Sequence, residues 1–199
     1  MKYSDFNLGK NSDSLLPAIV QDSRTGKVLM LAYMNEAAFD KTVETGLVTF
    51  WSRSRGELWT KGETSGNYLH LERMFADCDA DTLLIWARPD GPACHRGTTS
   101  CFDTPEEEGF LCLLEDVVRD RREKMPEGSY TSYLFEKGVN KAAQKVGEEA
   151  VETVIEAVSG NRDRYVYEAS DLLYHLLVVN NLMGVSMEDL CRELVSRHK

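Results

Sequence analysis

Two groups of acidic residues, each with its own companions, hold most of the side chains here that could do chemistry. The first is Asp77-Cys78-Asp79-Ala80-Asp81, followed by Cys94-His95 and Cys101; the second is Glu148-Glu149-x-x-Glu152, followed by Glu168-x-x-Asp171. Three carboxylates within reach of one another repel unless a cation neutralises them, and hard oxygen donors suit Mg²⁺. In an extended segment Asp77, Asp79 and Asp81 would share one side, with Cys78 opposite. An EF-hand is excluded, because its sixth position would be Thr82 instead of Gly and its twelfth Arg88 instead of Glu. A solvated acidic loop is the alternative.

Soft thiolates select Zn²⁺. Cys78, Cys94 and Cys101 could fill three tetrahedral positions and leave the fourth for a water acidified toward neutrality, a hydrolytic nucleophile. Six residues separate Cys94 from Cys101 and Cys78 lies far upstream, so the spacing is no standard knuckle. His95 suits a proton shuttle better than a ligand. The His-x-Glu and Pro-Cys-x-x-Cys elements of zinc deaminases are absent. Upstream, Arg53, Arg55 and Lys61 are donors suited to phosphate, and Thr64-Ser65-Gly66-Asn67 offers hydroxyls and amides in a tight loop. Trp51 and Trp59 read first as core.

In the second group, Glu149 and Glu152 share a helix face, and Glu168 and Asp171 repeat the spacing on the next helix. Four inward carboxylates on facing helices would make a Mg²⁺ site suited to polyphosphate hydrolysis. Ala142, Ala143, Val146, Ala150, Val151, Val154, Leu172, Leu173, Leu176 and Leu177 surround them in sequence, which argues against an exposed acidic face. Lys137, Lys141 and Lys145 recur at intervals of four and could receive phosphates, although solvated lysines are the plainer reading for Lys141. His175 is either a phosphate donor or a packed histidine.

These groups need elements to position them. Residues from Pro17 to Tyr33 read as two strands about a turn at 23–26, and residues 35–43 as a helix capped by Asn35. Residues 48–52, 57–61, 68–76 and 82–87 complete a meander of short strands about one core. Charged Asp103-Thr-Pro-Glu-Glu-Glu-Gly109 resembles a linker, and everything after it is helical. Leu111, Leu114, Val117 and Val118 mark one apolar face; a long helix runs from about 132 to 158, breaks at Ser159-Gly160-Asn161, resumes over 162–184, and a last helix follows the Ser186 cap. The fold class is two-domain α+β: a β-rich domain over 1–104, a linker over 105–109 and an all-α helical bundle over 110–199.

Composition narrows the partners. Across 199 residues the net charge is -10, which argues against nucleic acid or anionic membrane as a partner. No apolar run approaches a signal peptide or a membrane span, so a cytoplasmic location is the expectation. Five cysteines fit a reducing compartment, with Cys112 and Cys191 expected as buried apolar thiols.

Together the motifs carry a resemblance. Trp51 to Asn67, Asp77 to Asp81 and Gly91-Pro-Ala-Cys94-His95-Arg-Gly-Thr-Thr-Ser-Cys101-Phe102 resemble phosphoribosyl-AMP cyclohydrolase over about residues 15–104. Lys145-Val-Gly-Glu148-Glu149-Ala-Val-Glu152 and Glu168-Ala-Ser-Asp171-Leu-Leu-Tyr174-His175 resemble the MazG-like phosphoribosyl-ATP pyrophosphohydrolases. Their order is similar to that in fused bifunctional enzymes of histidine biosynthesis. The resemblance implies that the second half first hydrolyses phosphoribosyl-ATP with Mg²⁺ on Glu149, Glu152, Glu168 and Asp171. The first half would then open the adenine ring between N1 and C6 by attack of zinc-activated water at C6, with His95 carrying the proton. It further implies Mg²⁺ on Asp77, Asp79 and Asp81, and Zn²⁺ on Cys78, Cys94 and Cys101, with cysteines contributed across a homodimer interface. Substrate contacts would come from Arg53, Arg55, Trp59, Lys61, Thr64, Ser65 and Asn67 in the first half and from Lys137, Lys145 and His175 in the second. Arg96 departs from the pattern, which expects a smaller residue such as Thr. A general nucleotide pyrophosphohydrolase with a structural zinc domain and a cation-storing binding protein are the alternatives; the first predicts no ring opening, the second no turnover.

Overall fold

The computed structural model describes residues 1–10 and 14–198, arranged in two units, Met1–Phe110 and Leu111–Lys199. The first unit holds β1 (Leu16–Asp22), β2 (Val28–Met34), α1 (Glu36–Thr45), β3 (Thr49–Ser52), β4 (Glu57–Thr60), β5 (Leu69–Ala76) and β6 (Leu83–Pro89). The second holds α2 (Phe110–Lys124, beginning at the boundary), α3 (Tyr130–Ser159), α4 (Arg162–Met183) and α5 (Met187–Arg197). The expected division into a β-rich first half and an all-α second half is what the chain forms.

In the first unit the period-two pattern of β1 buries Leu16, Ala18, Val20 and Asp22 on one face. Leu83, Ile85 and Ala87 of β6 and Phe39 of α1 meet them in the core. The Asp22 carboxylate accepts hydrogen bonds from the backbone N–H of Arg24 and Thr25, closing the β1–β2 turn. Asn35 caps α1 by accepting from the Ala38 N–H at 2.9 Å. The expected meander is corrected in one respect. The sheet order is β2-β1-β6-β5, with β1 and β6 parallel, and β3–β4 form a separate ribbon. A parallel pair requires a long crossover, and all the elements between β1 and β6 supply it; strand spacing along the chain carries no signal of that pairing.

The segment expected as a linker is fastened to the first unit: Lys27 Nζ donates to the Pro105 carbonyl at 3.0 Å. In the second unit, Val118, Leu134, Ala142, Leu177 and Val178 form the core. Of the apolar face expected on α2 only Val118 is fully buried; Leu111 and Val117 stand 40% and 47% exposed. The long helix expected from 132 to 158 is two helices in one. Gly138, at φ 76° and ψ −173°, interrupts α3, a conformation essentially confined to glycine. Lys137 therefore does not continue the face of Lys141 and Lys145. As expected, Gly160 and Asn161 end α3 and cap α4, and Ser186 caps α5. Cys112 is partly buried and Cys191 exposed, against the expectation that both pack inside.

Candidate active sites

In the first unit, Asp77, Asp79 and Asp81 bring carboxylate oxygens within 4.8 Å of one another. They do so in a turn instead of the extended segment expected. Ala80 adopts φ 57°, and the Asp77 carboxylate accepts from the N–H of Asp81 at 2.9 Å and of Thr82 at 3.1 Å. The β5–β6 connection must reverse within these residues, so alternation gives way to a hairpin and the acids converge by turning.

The loop after β6 brings Cys94, His95 and Cys101 to a cavity of about 530 Å³. Arg55, Trp59, Lys61, Thr64, Ser65 and Asn67 line the same cavity. The two stretches are joined directly, since Asn67 Nδ2 donates to the Pro92 carbonyl at 3.2 Å. A Cβ at Gly91 would come 2.6 Å from Asn67 Oδ1, so any larger residue there would push the Asn67 amide aside. Trp59 rests on core Phe50, ring centres 5.1 Å apart, and turns its remaining surface to the cavity, so it is both core and lining. Arg53 lies elsewhere, its guanidinium 3.8 Å above the Tyr33 ring.

Cys94 is buried and Cys101 exposed. The Arg96 N–H and the Thr98 hydroxyl hold the Cys94 thiol down to about 6, with the Arg96 guanidinium and Cys101 adding to the effect. Arg96, the departure noted in sequence, thus stabilises a thiolate, which is the form that binds soft metal. Burial pushes the Cys101 thiol up, and neighbouring Cys94 pushes it further. His95 is exposed, its Nδ1 3.9 Å from Cys94 Sγ. Cys78 is exposed on the β5–β6 turn, and among the described residues no group of three or more potential ligands includes a cysteine. One chain gathers two of the three expected zinc ligands.

The second unit brings together three of the four acids expected there; Glu152 is exposed and lies outside the group. Glu149 on α3 with Glu168 and Asp171 on α4 place ligand oxygens within 4.8 Å, and both glutamates are buried. Glu152 stands near enough to Glu168 to raise its carboxyl. Burial pushes the Glu168 carboxyl up; Arg164, whose guanidinium lies 2.6 Å from it, opposes that shift, and Glu152 and Glu149 reinforce it. Such a crowd of buried carboxylates stays ionised only beside compensating positive charge. Lys145 provides part of it, 2.7 Å from Glu149 and 2.9 Å from Glu148, and these partners hold its ammonium above the ordinary lysine range. Lys137 instead sits 5.7 Å from the Tyr133 ring centre.

His175 is buried with Nε2 3.7 Å from Glu149, and burial lowers its basicity, so it is neutral near pH 7. Its Nδ1 has no hydrogen-bond partner, which fits a group aimed at something that binds. Sequence reasoning missed Arg164, although its position four residues before Glu168 was the available signal. It also missed Tyr130 and Tyr174, whose rings pack stacked on each other and edge to face with that of His175 beside the acids. Of the apolar residues expected to embed those acids, Ala143, Val151, Val154 and Leu173 are exposed in the single chain.

The donor sets fit the implied metals. Hard oxygens converge at both acidic clusters, and Cys94, held toward its thiolate, lies with Cys101 at the cavity. No helix among the described residues is long and apolar enough to cross a membrane.

Comparison with known proteins gives the same division. A profile for phosphoribosyl-AMP cyclohydrolase matches residues 30–103, and one for phosphoribosyl-ATP pyrophosphohydrolase matches residues 111–198. A curated protein of Bacteroides thetaiotaomicron, named histidine biosynthesis bifunctional protein HisIE, is 58% identical over 188 residues, 94% of this chain and 93% of that protein. Proteins of the same name from Escherichia coli (strain K12) and Photobacterium profundum are 49% and 48% identical; the alignments cover 96% and 94% of this chain, and 94% and 93% of those proteins.

Proposed function

This chain belongs to the HisIE family of histidine biosynthesis bifunctional proteins, and we propose that it performs two successive hydrolyses on phosphoribosyl nucleotides. The second unit converts phosphoribosyl-ATP to phosphoribosyl-AMP and pyrophosphate; the first opens the adenine ring between N1 and C6 to give the phosphoribosylformimino product. The convergence of Glu149, Glu168 and Asp171, with Glu152 beside them, carries the first step. The cavity that joins Cys94, His95 and Cys101 to the 55–67 stretch carries the second.

When bound, Mg²⁺ supplies charge neutralisation for phosphoryl oxygens and Zn²⁺ a water acidified toward neutrality. Glu149, Glu152, Glu168 and Asp171 would hold the Mg²⁺ of the second unit, and Asp77, Asp79 and Asp81 that of the first. Cys94 and Cys101 would hold zinc with Cys78 from a second copy of the chain, a homodimer arrangement supported by the separation of Cys78 from that pair within one chain. Lys145 keeps its charge next to the acids and is placed to take a phosphate oxygen. Neutral His175 donates a hydrogen bond to a phosphoryl group without adding charge. In the first unit, Arg55 and Lys61 orient the substrate's phosphates, Thr64, Ser65 and Asn67 bound the ring pocket, and His95 moves the proton at its ring nitrogen. A purely structural zinc fits less well, because structural sites are closed and these cysteines line an open cavity.

The test is a time course with purified protein, phosphoribosyl-ATP, Mg²⁺ and trace Zn²⁺, following pyrophosphate and nucleotide masses. Pyrophosphate should appear first, followed by gain of one water on the phosphoribosyl-AMP formed. Release of pyrophosphate with no water gained by zinc-replete protein would refute the second step, and no turnover would refute both.

A further inference from the structure

Beside the acids of the second unit lies a feature that metal binding and phosphate chemistry leave unused. Tyr130 and Tyr133, one turn apart at the start of α3, stack with ring centres 6.2 Å apart, yet stand 49% and 41% exposed. Aromatic rings that serve a core are buried; two that stack on each other with nearly half their surface in water present a flat apolar face. The pair adjoins the acids: the Tyr130 ring centre is 5.8 Å from that of His175, whose Nε2 is 3.7 Å from Glu149. Neighbouring Tyr174 differs, because its hydroxyl bonds Thr131 at 2.8 Å and its ring packs on the core.

Tyr130 and Tyr133 also line a cavity of about 420 Å³ that begins at the α2–α3 connection. Among the residues lining it is Ser132, 4% exposed, whose hydroxyl has no hydrogen-bond partner. A buried hydroxyl left unpaired on the wall of a cavity points to a polar group that arrives with a ligand. Flat faces, an orphan hydroxyl and an adjacent acid cluster are the recognition chemistry of a nucleotide: rings stack on the base, the hydroxyl reads a polar edge, and the cation takes the phosphates.

We propose that Tyr130 and Tyr133 form the platform on which the second unit stacks the purine of its nucleotide substrate, with Ser132 bonding a polar atom of that nucleotide. The proposal rests on the pyrophosphohydrolase reading and adds the base-recognition residues to it. Neither tyrosine touches the bond that breaks, so the platform acts on binding of substrate and transition state alike, which raises KM when lost and leaves kcat near its original value.

The experiment measures pyrophosphate release from phosphoribosyl-ATP by the full chain with Mg²⁺, comparing wild type with Tyr133→Leu, Tyr130→Leu and the two Phe variants. The leucine variants should raise KM about tenfold, the order expected for one base–aromatic stack, whereas the Phe variants keep a near-original KM because the stacking face is retained. Mn²⁺ alone, titrated by electron paramagnetic resonance, should bind every variant as it binds wild type. An unchanged KM in both leucine variants, a fall in kcat alone, or weakened Mn²⁺ binding would overturn the platform. Wild-type protein that releases no pyrophosphate would instead overturn the reading beneath it, so the two failures are distinguishable.

Discussion

The two units gather their candidate metal ligands by opposite means. In the second, the acids lie on α3 and α4, and one chain brings Glu149, Glu168 and Asp171 within 4.8 Å of one another. In the first, the cysteines lie on turns and loops, and one chain brings together only Cys94 and Cys101, leaving Cys78 elsewhere. Helices fix the direction of side chains three and four residues apart, so their ligands converge by local geometry alone. Loops fix nothing comparable; their ligands meet only when tertiary or quaternary contacts bring them together.

That contrast can be broken most severely by exchanging subunits. Cys78→Ser and Cys101→Ser should each lose ring opening by about a thousandfold, the scale of several kcal/mol of lost metal assistance. Mixing the two variants under conditions that allow subunit exchange should restore about a quarter of wild-type activity, because about half the dimers are mixed and each has one intact site. No recovery in demonstrably exchanged dimers would place all three ligands within one chain. An equivalent mixture of Glu149→Gln and Asp171→Asn should show no recovery of pyrophosphate release, since these two acids converge within one chain.

A smaller effect separates two glycines. Gly62 has φ 96°, and a Cβ there would lie 2.5 Å from the Asn67–Tyr68 backbone, whereas Gly138 has φ 76° with open space around it. Gly62→Ala should therefore cost about 3 kcal/mol through strain and crowding together, and Gly138→Ala about 1 to 2 kcal/mol through strain alone. The tryptophans Trp51, Trp59 and Trp86 all belong to the first unit, so their fluorescence during urea unfolding reports Gly62→Ala, and helical circular dichroism reports Gly138→Ala. Equal losses would show that crowding at Gly62 is relieved by loop movement.

The smallest effect is a difference in thiol titration within the first site. In chelated protein, Cys94 should alkylate with a midpoint near pH 6, and Cys101 only above the ordinary thiol range. Because folding lowers the Cys94 value, its thiolate adds stability that is fully present above the unfolded thiol pKa and is lost as pH falls through about 6. Arg96→Thr should move that midpoint upward; an unchanged midpoint would show that the guanidinium contributes nothing.

How much the sequence disclosed follows the same line. Glu149, Glu152, Glu168 and Asp171 could be placed on facing helices because spacing and the Gly160-Asn161 break are local signals, and the Asn35 and Ser186 caps were legible for the same reason. Asp77, Asp79 and Asp81 were correctly grouped but for the wrong reason, since alternation suggested a strand and the chain makes a turn. The parallel β1–β6 pair depends on contacts distant in sequence, and the Gly138 interruption lies in an otherwise helical pattern where one glycine is no certain breaker. Tyr130 and Tyr133 carried no signal in the sequence, because what marks them is their exposure beside the acids.

The central claim is that the two hydrolyses belong to separate sites, and its most direct measurement is a double dissociation in the full-length protein. Starting from phosphoribosyl-ATP, Cys101→Ser should release pyrophosphate at the wild-type rate and accumulate phosphoribosyl-AMP unopened. Given phosphoribosyl-AMP, Glu152→Gln should open the ring at the wild-type rate while failing to release pyrophosphate from phosphoribosyl-ATP. Loss of both activities in either folded, metal-replete variant would contradict the account.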